Sequence, residues 1–316
     1  MLDRDQRLHM DTLLSAYRPM DVAFPYNEFI SSCLIYTKGH YGIFMIQNKK
    51  EEMYTVKVSM YSIKDPEINI SLYIKQYAGH IPNILHFEHI YVGGSPLDYR
   101  LFLHSTLDSN TCLNTVPNLR DIFIHNKYFY YMTKACIGNL SYYTGKLKQK
   151  ITYQQFVGYT FQVLVGLQSL HKLNIWHKDI KAANFLICNS DIFPYYPNII
   201  YTKEEGSYQT SWKFSYENLD YKDIKIIDFG EAVILENNNI PCVTYQFEVN
   251  VAIINVIKVL WNAVSGYKDE YKYNDLIHNL RNCNTDLLDV MISSVIFQDN
   301  ISETYNEPND YIVKLL

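Results

Sequence analysis

This chain of 316 residues has no C-x-x-C pair, no excess of basic residues, no uninterrupted apolar run of membrane length and only 12 glycines. Each shortage narrows the function classes. The six cysteines, Cys33, Cys112, Cys136, Cys188, Cys242 and Cys283, lack metal-ligand spacing; this argues against structural zinc and leads us to expect free thiols in a reducing compartment. With 28 Lys and Arg against 33 Asp and Glu, the formal charge is −5, so no general footprint for nucleic acid exists and no nucleic-acid partner is expected. The most apolar stretch, "VAIINVIKVLWNAV", is broken by Asn255, Lys258 and Asn262, and no membrane span is expected. The opening "MLDRDQRLHMDTLL" is charged rather than signal-like, which points to an intracellular, cytoplasmic protein. What is abundant is apolar: hydrophobic residues make up 48% and charged ones 19%, enough for a sizeable core and against disorder. The 29 tyrosines suit half-buried amphipathic positions.

Three strands are expected first, in "SSCLIYTK", "GIFMIQNKK" and "EEMYTVKVSM", with a glycine turn after the first and a charged turn after the second. A helix follows in "DPEINISLYIKQYAGHIPN", where Asp65 can cap, Pro66 suits the first helical position and Ile70, Ile74 and Tyr77 lie at helical spacing. It should end near Gly79. "ILHFEHIYV" and "KYFYYMTKA" resume strand character. Beyond "TKACIG" the period changes: "TYQQFVGYTFQVLVGLQSLHKL" carries apolar residues three and four apart, the pattern of an amphipathic core-facing helix. The domain boundary is therefore placed at residues 133 to 138.

The residues with most chemistry lie in "NIWHKDIKAANFLI", residues 174 to 187, where His177, Lys178, Asp179, Lys181 and Asn184 are set between apolar anchors. Asp179 and Asn184 match D-x-x-x-x-N. Further on, "IKIIDFGEA" presents Asp228, Phe229 and Gly230 straight after an apolar strand. Upstream, Gly39 and Gly42 lie in "YTKGHYGIF", and Lys57 lies in "YTVKV" of the third strand. Taken singly, each has a plainer reading. The glycines could merely close a hairpin, Lys57 could be an ordinary edge-strand lysine, Asp228 could cap a turn, and His177 is structural in any case.

In this order the four signals resemble the eukaryotic-type protein kinases over roughly residues 31 to 266. The resemblance implies an α+β, bilobal protein-kinase-like fold: an N-terminal extension (1–30), a small antiparallel-sheet N-lobe (31–135) and a mainly helical C-lobe (136–316) with an insertion at 189–222. It implies ATP and Mg2+ as cofactors and a protein substrate. Asp179 would be the base for the substrate hydroxyl, with Asn184 and Asp228 as magnesium ligands and Lys57 on the α- and β-phosphates. Gly39 and Gly42 would let backbone N–H groups approach phosphate. Thr133 and Ala135 would belong to the hinge behind Met132. Lys181 resembles the lysine of the serine/threonine branch that contacts the transferred phosphate. Such chemistry needs positioning and charge neutralisation above all, which carboxylates, an amide and lysines supply.

The departures are as informative. Thr37 replaces the first loop glycine, Phe44 the usual valine and Thr55 the alanine before the lysine; a bulkier adenine roof and modest nucleotide affinity are expected. Glu67 is the one acid in the helix available to pair with Lys57, but in the first turn beside Pro66 it would also be favoured by the helix dipole alone. Lys178 replaces an arginine, and lysine lacks the bidentate fork that holds an activation-loop phosphate. Between Asn184 and Asp228 lies a long tyrosine-rich insertion, and no A-P-E follows. These features resemble haspin and, with "TKGHYGIF" and a short lobe, the virion morphogenesis kinases of poxviruses and related large DNA viruses. A viral protein of that kind could be virion-associated. The leading expectation is an active serine/threonine protein kinase. The alternative is a pseudokinase scaffold, and a small-molecule kinase of the aminoglycoside phosphotransferase type is disfavoured by Lys181 and the D-F-G.

Overall fold

The computed structural model describes residues 29–38, 41–60, 66–77, 83–85, 89–93, 128–189, 198–205, 208–215, 222–235, 242–282 and 301–304. They fall into two compact units, the first ending at Cys136 and the second beginning at Ile137, with Leu72–Leu85 counted in the second.

The first unit is built on period-two strands. β1 (Phe29–Lys38), β2 (Tyr41–Asn48), β3 (Met53–Met60), β4 (His89–Gly93) and β5 (Tyr128–Lys134) form one antiparallel sheet in the order β1-β2-β3-β5-β4. Phe44, Ile46 and Val56 alternate onto a buried face. Between β2 and β3 the Asn48 side chain accepts the N–H groups of Lys50 and Glu52, both at 2.9 Å, and so closes the charged turn. Helix α1 (Pro66–Tyr77) starts at the predicted proline and stops two residues short of Gly79. Asp65, Gly39 and Gly79 lie outside the described residues. Cys136, at the end of this unit, is disulfide-bonded.

The second unit is organised round α2 (Tyr153–Lys172). A capping box starts it: Thr152 Oγ1 accepts the Gln155 N–H at 3.1 Å and Gln155 Oε1 accepts the Thr152 N–H at 2.9 Å. Asn174, with φ 57°, ends it by donating its N–H to the His171 carbonyl at 2.9 Å. Every residue from Phe156 to His171 is buried. The sequence pattern suggested one core-facing stripe, but other elements cover this helix on all sides, so it is the core axis.

Around it lie β6 (Gly138–Asn139), β7 (Ile175–Trp176), β8 (Phe185–Asn189), β11 (Lys222–Ile226) and β12 (Val233–Ile234), in the small sheets β11-β8-β6 and β12-β7. Gly166 lets β11 approach α2, since a Cβ there would lie 2.8 Å from Ile226 Cδ1 and 3.0 Å from the Asn83 carbonyl. Helix α3 (Cys242–Ala252) runs through a π-helical turn, Ile253–Ile257, into α4 (Lys258–Ala263), and α5 (Glu270–Arg281) follows. Phe156, Trp261 and Tyr273 join α2, α4 and α5, Trp261 stacking on Tyr273 at 4.3 Å. Cys188 is disulfide-bonded. With Cys136, it removes the expectation that all six cysteines are thiols, and with it the argument from cysteine usage to compartment.

The insertion departs from the expected loop. β9 (Asn198–Glu205) and β10 (Tyr208–Ser215) form a hairpin, extended by β13 (Ile301–Thr304) into a third sheet, β13-β10-β9. Its aromatic and β-branched residues favour strands.

Candidate functional site

The loop from Trp176 to Phe185 is rigid because its apolar residues are buried and its polar backbone groups are engaged. Ile175, Ile180, Phe185 and Ile187 are each at most 3% exposed. Between them His177 is fully buried, and burial pushes its imidazole below its ordinary pKa of 6.5, opposed by Glu248, the Ile227 carbonyl, Asp228 and Asp179. The neutral ring has one tautomer that fits. Nδ1 accepts the Asp179 N–H at 3.3 Å, so Nε2 carries the proton and donates to the Ile227 carbonyl at 3.0 Å. His177 thereby ties the backbone of Asp179 to the residue preceding Asp228.

Asn184 makes the second tie. Its Nδ2 donates to the Asp179 carbonyl at 2.8 Å and to Asp179 Oδ2 at 2.9 Å, while its own carbonyl accepts the Ile227 N–H at 3.0 Å. Asp179 also forms an ion pair with Lys181. Partial burial works against ionisation of Asp179, but the hydrogen bonds from Lys181 and Asn184 outweigh it and hold the carboxyl below its ordinary range. Asp228 follows β11 in a left-handed conformation, φ 66° and ψ 74°, rare for a residue with a Cβ and a mark of functional positions. Asp179, Lys181, Asn184 and Asp228 thus form one connected group.

The loop is held from behind by a residue the sequence reading did not single out. Glu248, on α3 and 1% exposed, accepts the N–H groups of His177 and Lys178 on Oε1, at 2.9 and 3.0 Å, and contacts His171 Nε2 through Oε2 at 2.8 Å. The signal was there, since an acid inside the apolar "YQFEV" must find partners. Asn255, in the π-helical turn, donates to the Ile180 carbonyl at 3.2 Å. Lys178, with φ 66°, sets its ammonium 5.2 Å from the centre of the Trp176 ring.

The remaining candidates lie in the first unit. Lys57, on β3 between Ile43 and Tyr131, forms an ion pair with Glu67 of α1, the two side chains 15% and 5% exposed. Both readings of Glu67 therefore hold together: it stands in the first helical turn and it pairs with the lysine. Gly42 is buried within the ladder, opposite Thr37 and Val58. Thr133 is buried on β5. Ala135 donates its N–H to the Met53 carbonyl at 3.0 Å, which takes that N–H away as a donor to a nucleotide base.

Residues 106–251 match the protein kinase domain family. The matched segment, less than half of the chain, contains Asp179, Lys181, Asn184 and Asp228 and leaves out Lys57 and Glu67. With the five-stranded antiparallel sheet and the helical second unit, it establishes a bilobal α+β kinase-like fold. A crystallised kinase domain is similar at 13% identity and a TM-score of 0.44, over 80% of this chain and 70% of its own. No curated protein sequence matches. The kinase-domain match supports phosphotransfer in general and a protein substrate; it does not specify the acceptor hydroxyl.

Protein kinase domains generally use ATP and Mg2+, and the donor set suits a hard cation. With Asn184 Nδ2 engaged by Asp179, its amide oxygen is the atom left to coordinate, beside the carboxylate of Asp228. One carboxylate, one amide and substrate phosphates are a usual magnesium environment. Among the described residues no cluster of three or more His, Cys, Asp or Glu occurs, and no helix is long and apolar enough to cross a membrane.

Proposed function

We propose that this chain is an ATP- and Mg2+-dependent protein kinase that transfers the γ-phosphoryl group to a serine or threonine hydroxyl. The reading rests above all on the ionised Asp179, paired with Lys181, hydrogen-bonded by Asn184 and tied through His177 to the segment bearing Asp228. In this scheme Asp179 orients the acceptor hydroxyl and takes its proton as the new O–P bond forms and ADP leaves. Lys181, one side of its ammonium on Asp179, neutralises charge on the phosphoryl in transfer. Asn184 and Asp228 would hold Mg2+, which supplies charge neutralisation at the phosphates when bound. Lys57, oriented by Glu67, would contact the α- and β-phosphates. The missing A-P-E and the insertion before Asp228 support a place beside haspin or the virion morphogenesis kinases, with a cytoplasmic or virion-associated site of action.

The test is phosphate incorporation from labelled ATP with Mg2+ into casein or the chain itself. Asp179→Asn should lower the rate by about 10²–10⁴-fold with little change in melting temperature. Parent-level activity in that variant would remove Asp179 from the catalytic role. A second reading, a weak or inactive scaffold, is favoured by the Ala135 N–H bound to Met53. It predicts that ATP with Mg2+ raises the melting temperature while no phosphate is transferred.

A further inference from the structure

We propose that the segment from Tyr142 to Lys150 is a docking surface for an acidic segment of a protein partner. The first observation is compositional. From Ile122 to Lys178 the chain has Lys127, Lys134, Lys146, Lys148, Lys150, Lys172 and Lys178 and no Asp or Glu, although the whole chain carries a net charge of −5. Three of these lysines, Lys146, Lys148 and Lys150, are concentrated in five residues and all are exposed. None forms an ion pair with a described residue. Three ammonium groups so close together repel one another, and in an acidic chain the nearest remedy, an intervening carboxylate, is absent.

The second observation is that the patch is held rigidly and is partly apolar. Asn139 Oδ1 accepts the Tyr142 N–H at 2.8 Å, Thr144 Oγ1 donates to the Leu140 carbonyl at 2.8 Å, and the N–H groups of Leu147 and Gln149 donate to the carbonyls of Tyr142 and Tyr143 at 2.9 and 3.1 Å. Lys148 is held at φ 49°, a conformation that lysine adopts only under constraint. A merely solvated turn needs neither that constraint nor apolar display. Here Tyr142 and Leu147 are each 41% exposed, and Lys146 sits 5.8 Å from the Tyr142 ring centre. Preorganised charge beside exposed aromatic and aliphatic surface is what a partner with both acidic and apolar side chains recognises.

Other polyanions fit less well. Lipid-binding basic clusters usually gather about four to eight cations, and nucleic-acid readers rely on arginine forks, whereas this stretch has no arginine. Lys148 and Lys150, two residues apart in non-helical backbone, match the spacing of alternate side chains in an extended peptide. The proposal does not rest on phosphotransfer and is read out by binding alone.

The test uses the full chain and a fluorescein-labelled peptide of alternating Glu and Asp around one Leu, followed by fluorescence anisotropy. The parent should bind, with affinity falling as salt is raised. The K146E/K148E/K150E variant should lose about tenfold or more in affinity at an unchanged melting temperature, and the corresponding triple Lys→Arg variant should retain it. Absence of binding by the parent, or equal binding by the charge-reversed variant, would overturn the proposal. So would tighter capture, through the same lysines, of phosphatidylserine-containing vesicles or single-stranded DNA.

Discussion

His177 does its work by staying uncharged. Its two ring nitrogens serve opposite roles, one accepting from Asp179 and the other donating to Ile227, and protonation would destroy the acceptor. Because its folded pKa lies below the ordinary 6.5, the unfolded chain takes up more protons as the pH falls through that value. The stability His177 contributes is therefore present above about pH 6.5 and lost below it. Urea unfolding between pH 8 and 5.5 should show this loss, and His177→Gln should flatten the slope by up to about 1.4 kcal/mol per pH unit. An unchanged slope would mean that the ring is protonated in the folded chain. At this scale the sequence was readable where polar residues crowd one apolar frame, as in Asp179, Lys181 and Asn184. It was not readable for Ala135, whose backbone donor is taken by Met53, because no side-chain pattern reports backbone pairing.

The helix through α3, its π-helical turn and α4 acts as a clamp on the catalytic loop. Glu248 holds the loop by two N–H groups and Asn255 holds it by one carbonyl. Glu248→Ala would orphan both buried N–H groups and the His171 contact, and should cost about 2–5 kcal/mol in urea unfolding. Glu248→Gln keeps an acceptor oxygen and should cost less. In a phosphate-transfer assay it should lower kcat more than it alters KM for ATP, since it acts on the loop and not on Lys57. Equal costs for the two variants would show that the carboxylate is not an acceptor for the loop. The clamp was half legible. The apolar run announced a long buried helix, but Asn255 read as an interruption because its partner, Ile180, lies 75 positions away. The hairpin β9–β10 carried a legible period of two and a Gly-Ser connector, yet the length of the insertion suggested a loop.

For the molecule as a whole, aromatic packing carries much of the second unit. Trp261 touches Tyr153 and Phe156 of α2 and stacks on Tyr273 of α5, so Trp261→Ala should cost about 3–5 kcal/mol. A near-neutral result in thermal or urea unfolding would mean that the cluster is decorative. Part of the tyrosine abundance is explained here. The change of period near residue 135 made two regions visible, but not the grouping of Leu72–Leu85 with the helical one. That grouping comes from Asn83, which bonds to Gln162 and Ile224, and from the pairing of Ile84 with Ile226, contacts between distant positions that local periodicity cannot encode. The π-helical turn at Ile253–Ile257 makes the chain intolerant of a length change rather than a chemical one. Removing exposed Ile254 would rotate everything beyond it by about 100° about the helix axis, swinging Leu260 and Trp261 toward water. A one-residue deletion there should therefore be far more damaging than any substitution at the same site.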